Sequence, residues 1–61
     1  MTKKTYYIKN SIELEAAINK IRDTFMCFIT REFIKMDYSE VEINARNEDI
    51  ASIERILAPL M

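Results

Sequence analysis

Three rhythms of apolar and polar residues run along this chain. Residues 3–9, Lys-Lys-Thr-Tyr-Tyr-Ile-Lys, are rich in threonine, tyrosine and isoleucine and read as a strand. Asn10 or Ser11 then caps a helix, with Glu13 at capping-box spacing from Asn10 and Glu13 and Glu15 suited to the first turn. Leu14, Ile18, Ile21, Phe25 and Phe28 follow at steps of four, three, four and three. That spacing forms one apolar helical stripe, which Ile29, Phe33 and Met36 continue on a slightly rotated line. The stripe predicts a single helix from about 11 to 36. The segment Thr24–Thr30 also has the composition of a central strand, which would end the helix near Arg22-Asp23. Because no glycine or proline marks a break there, the continuous helix is preferred.

Residues 39–46 alternate cleanly. Val41, Ile43 and Ala45 face one way, and Glu40, Glu42, Asn44 and Arg46 the other, as in a half-buried strand. Asn47 is placed to cap a last helix, with Glu48 and Asp49 in its first turn. Ile50, Ile53, Leu57 and Leu60 repeat at three, four and three, and Pro59 frays the end. The remaining punctuation, Asn10-Ser11 and Asp37-Tyr38-Ser39, marks turns, since Asn and Asp tolerate left-handed backbone best after glycine.

The expected fold is α+β, strand–helix–strand–helix, a single domain over 1–61, with a long central helix on a small sheet. Two strands make a poor sheet. A helix of that length would be ~37 Å long and would overhang a seven-residue strand of ~23 Å. Both mismatches would be relieved by a second copy, so the chain is expected to be completed by dimerisation. Its small size argues the same way. A domain this short buries only ~60% of its unfolded surface and usually needs a staple. One cysteine excludes an internal disulfide, and with no histidine a structural zinc site is not expected.

Composition narrows the chemistry. The chain has no glycine and no histidine. It therefore has no phosphate-cradling glycine loop and no side chain that titrates near neutrality. No residue qualifies as catalytic, and no cofactor or metal is expected. Net charge is −1, from nine basic and ten acidic residues, which fits neither a strongly basic nucleic-acid protein nor an acidic nucleic-acid mimic. No long apolar run follows the basic N-terminus, and the longest, Phe25–Ile29, is too short to span a bilayer. With a lone cysteine in apolar company, this points to a cytoplasmic setting.

The strongest functional signal is the apolar arc of Phe25, Met26, Phe28, Ile29, Phe33 and Ile34, too wide for one thin sheet to cover. It implies a partner, either another copy or a target protein. Phe25, Met26, Phe28, Ile29 and Phe33, with the acidic Glu40 and Glu42, are the candidate partner-binding residues. Asp37, Glu40, Glu42, Glu48 and Asp49 stand against Arg46 alone. Their spacing fits no calcium loop, and they read as a solvated face able to meet a basic surface. Cys27 has no cation or helix start beside it in sequence, so it reads as a small buried hydrophobe. Met26, Met36 and Met61 are adaptable apolar side chains, the first two near the arc. The competing reading is a dimeric nucleic-acid binder using Lys3, Lys4, Tyr6 and Lys9, where cations interleave with aromatics. An edge strand guarded by lysines accounts for the same residues.

The opening strand is similar to that of ribbon–helix–helix repressors. There the two helices follow directly, with no strand like 39–46 between them. In brevity and lack of motifs the chain resembles accessory proteins of phages and mobile elements, including inhibitors, antitoxins and anti-defence proteins. The expected function is a non-enzymatic, protein-binding regulator or inhibitor.

Overall fold

Strand β1 forms where the sequence alternates. In Thr2–Lys9 the even residues turn inward and bury Tyr6 and Ile8, while Lys3, Thr5, Tyr7 and Lys9 stay outside. The computed structural model describes all 61 residues. Helix α1, Ile12–Thr24, starts at Ser11, whose hydroxyl accepts from the Leu14 amide at 3.0 Å. It buries Leu14, Ala17, Ile18 and Ile21. Strand β2 is Cys27–Phe33, β3 is Tyr38–Ala45 and α2 is Asn47–Leu57, ending in a 3-10 turn at Ala58–Leu60.

The sheet has three antiparallel strands in the order β1-β3-β2. Both outer strands run antiparallel to β3, so they are parallel to each other with β3 inserted between them. Helices and strands follow the order βαββα, the beginning of a split βαβ arrangement. The core lies between one sheet face and both helices. It joins Tyr6, Ile8, Val41, Ile43 and Ala45 to the α1 residues and to Ile50, Ile53 and Leu57 of α2. The alternation read for residues 39–46 holds, since Val41, Ile43 and Ala45 are all fully buried.

The long central helix does not form, and this is the main correction. The chain leaves α1 at Phe25, which is extended (φ −119°, ψ 151°), and continues as β2. The run Phe25–Ile29 is apolar throughout, so it satisfies a period of two as well as one of 3.6. Pairing decides between them, because β2 fills the second edge of β3 and turns an inadequate two-strand sheet into three strands. With a 13-residue helix and a third strand, the overhang that motivated dimerisation is gone.

Two smaller corrections concern local chemistry. Asn47 does not cap α2. The cap position is Arg46, whose backbone is extended and whose side chain makes no capping bond, reaching Asp49 Oδ2 at 3.0 Å instead. Asn10 and Asp37 do lie at connections, yet no residue has positive φ. A chain without glycine makes all its turns in ordinary backbone regions.

Candidate protein-binding face

Each strand of the sheet shows one side to the helices and the other to solvent. The open side carries Lys3, Thr5, Tyr7 and Lys9 of β1, Tyr38, Glu40, Glu42 and Asn44 of β3, and Phe28, Thr30 and Glu32 of β2. No helix covers it. Phe28 and the adjoining Met26 are 71% and 74% exposed. Phe33, Ile34 and Met36 are exposed at the hairpin end of β2.

The partner-binding residues expected from sequence therefore divide. Met26, Phe28 and Phe33 are exposed. Phe25 and Ile29 pack partly buried against the core and are not part of the exposed strip. Glu40 and Glu42 lie half-buried on the open side of the central strand, the solvent side that the alternation assigned them. The apolar surface is thus a strand and its hairpin rather than a helix face. Thr30 and Glu32, adjacent on the same strip, escaped the sequence reading because a helical register hides the alternation of Phe28, Thr30 and Glu32.

A polar cluster on the other side fixes β2 in place. Arg31 points inward to the β1–α1 junction. Its Nε donates to Ser39 Oγ at 3.0 Å, Nη2 to Asn10 Oδ1 at 2.9 Å and Nη1 to Glu15 Oε1 at 2.7 Å. The guanidinium also lies over the Phe33 ring, 4.6 Å from its centroid. The fully buried Ser39 hydroxyl donates to Asn10, whose amide reaches the Met36 carbonyl. Every buried polar side-chain atom has a partner, as burial requires. The cluster takes one hydrogen bond from each guanidinium nitrogen and ties the hairpin to the β1–α1 junction, a structural role.

The residues of the nucleic-acid alternative are split across the sheet. Lys3 and Lys9 stand on the open side, whereas Lys4 and Tyr6 belong to the helix side. Tyr6 is buried, and its hydroxyl donates to Glu54 Oε2 at 2.9 Å. Burial, then that bond and the carboxylate charge, push its pKa up. On the open side the Tyr7 hydroxyl donates to Glu40 Oε1 at 3.1 Å, which raises its pKa chiefly through the bond. Cys27 is partly buried and packs against the core, close to the buried hydrophobe expected. Burial raises its pKa, opposed by the Arg22 charge, so the thiol is not primed for chemistry. No helix is long and apolar enough to cross a membrane.

No family model, curated protein or solved structure matches this chain.

Proposed function

We propose that the protein is a non-enzymatic protein-binding module that recognises its partner along β2 and the adjoining open sheet face. One observation carries the reading. Of the ten large apolar side chains exposed by the fold, five fall between Met26 and Met36, on β2 and its flanks. Met26 and Phe28 lie at the start of β2 on the open face, and Phe33, Ile34 and Met36 at its hairpin end; exposed apolar side chains beside carboxylates are the composition of an interface. A small chain presenting such a strand suits a regulator or inhibitor that covers another protein's surface. A second copy is one protein the strand could take, and a marginal core would gain from it.

The nucleic-acid alternative has less support. Of its residues only Lys3 and Lys9 share the open face, with Glu40 and Glu42 diagonal to them on β3 and Glu32 one strand beyond. Those carboxylates repel a phosphate backbone.

Affinity capture from the native host, with the wild type beside a Met26→Asp/Phe28→Asp variant, tests the reading. The partner should be retained by the wild type and lost by the variant, with thermal melting unchanged. Submicromolar retention of nucleic acid at ~150 mM salt, lost in Lys3→Glu/Lys9→Glu, would replace protein by nucleic acid as the partner.

A further inference from the structure

The two free edges of the sheet are not equivalent. Their hydrogen-bonding direction follows from the register. The Ile34 amide donates to the Tyr38 carbonyl, and the Asn10 amide to the Asp37 carbonyl. Antiparallel pairs alternate between bonded and non-bonded. Even residues of β2 therefore bond to β3, and Ile29 and Arg31 turn their backbone N–H and C=O groups outward. On β1 the outward groups belong to Lys3, Thr5, Tyr7 and Lys9.

Edge strands invite pairing unless guarded, most often by lysine. Lysines 3, 4 and 9 guard β1. The only cation on β2 is Arg31, and it is turned inward to Ser39, Asn10 and Glu15. No lysine guards that edge, and the inward charge of Arg31, itself a device against pairing, is already met by Ser39, Asn10 and Glu15.

On the open face of β2 and β3 the charge has one sign. Glu32 stands directly opposite Glu40, with Glu42 next along the same face. Like charges directly opposite destabilise a sheet. None of the three joins an ion pair; the pairs formed are Arg31–Glu15, Arg46–Glu48 and Arg46–Asp49. Only Glu40 has a polar partner, the Tyr7 hydroxyl.

We propose, building on the protein-binding reading, that β2 accepts an extended basic segment of another protein as a fourth strand. Its backbone pairs with the outward groups of Ile29 and Arg31. On the open face its alternate side chains meet Phe28, Thr30 and Glu32, in that order along β2. All three sit in non-bonded pairs with the incoming strand, where side chains approach most closely. A lysine or arginine fits beside Glu32, a β-branched residue beside Thr30 and an apolar one beside Phe28. A second copy fits less well. Antiparallel pairing of β2 with itself about Thr30 sets Glu32 against Phe28, and about Arg31 it sets arginine on arginine. Pairing with a copy's β1 is head-to-tail, so it makes no two-fold dimer, and it meets the lysine-guarded edge.

The test is a residue-resolved amide titration of the whole protein with two synthetic strands. One alternates threonine with valine and lysine; the other carries glutamate for lysine. The lysine strand should shift and protect the Ile29 and Arg31 amides, leave Lys3, Thr5, Tyr7 and Lys9 unchanged, and bind at least about fivefold more tightly than its glutamate counterpart. Glu32→Lys should reverse that preference. Equal binding of both strands at Ile29 and Arg31 overturns the basic partner and leaves protein binding at β2 intact. No shift at β2 with either strand overturns the edge site, while the Phe28-dependent capture described above still decides the broader reading. A doubled mass with the same two amides already protected makes a second copy the occupant and overturns the proposal.

Discussion

Strands β1 and β2 flank the same central strand and run in the same direction, yet they spend their side chains differently. β1 gives its inward residues Tyr6 and Ile8 to the core, bonds its outward Tyr7 to Glu40 and covers its edge with lysines. On β2 the inward Ile29 is only partly buried, and the inward Arg31 goes to a polar cluster. Its outward Phe28 touches water. β2 fully buries none of its side chains, whereas β1 buries two, so β2 adds less to the core. The difference locates stability along β1, β3 and the helices, and places the proposed recognition along β2.

Truncating one residue from each edge breaks or confirms that division. Ile8→Ala removes a fully buried side chain and should cost ~2–5 kcal/mol, enough to unfold a marginal domain. Phe28→Ala should change stability by no more than ~0.5 kcal/mol, because its ring is exposed. Denaturant unfolding of the two variants measures both. Equal losses would mean that Phe28 is core.

Ser39→Ala comes next. It removes the acceptor of Arg31 Nε and a bond to Asn10 at a fully buried site, and should cost ~1–3 kcal/mol. If β2 is held to β1 through this cluster, amide exchange in the variant should accelerate first at the hairpin end of β2. Glu15, the partner of Arg31 that is itself exposed, adds less, so Glu15→Ala should cost less than Ser39→Ala.

The smallest effect sharpens the contrast within β1 itself. Tyr6 has its pKa raised in the folded protein by burial and by Glu54. Unfolding lets it ionise from its ordinary value of ~10, so its contribution is present below that pH and is lost as the pH rises above it. Alkaline melting should therefore be steeper in the wild type than in Tyr6→Phe. Tyr7→Phe, at the exposed tyrosine bonded to Glu40, should relieve the alkaline loss less, because solvent screens that site.

Much of the architecture was legible in the sequence. Clean alternation at residues 39–46 placed Val41, Ile43 and Ala45 inside, and the three–four spacing of Leu14, Ile18 and Ile21 gave the buried face of α1. Periodicity failed at Phe25–Ile29, where five consecutive apolar residues fit either period and only pairing with β3 chooses. That single ambiguity cost the third strand. It also moved the candidate site, because Phe25 and Ile29 turn toward the core as β2 exposes Phe28. Arg31 deepened the disguise, since an inward arginine interrupts the alternation that would have marked a strand. The lysine–tyrosine interleaving of β1 read as one motif only until the pleat separated Lys4 and Tyr6 from Lys3 and Lys9.

Residue-resolved amide exchange across β2 in the free protein tests most directly whether this strand is an open recognition edge. The register predicts slow exchange at Phe28, Thr30 and Glu32, which bond to β3, and fast exchange at Ile29 and Arg31, which face solvent. Uniform protection from Phe25 to Phe33 would contradict it, because an unbroken helix, or an edge already covered, would shield the odd and even amides alike.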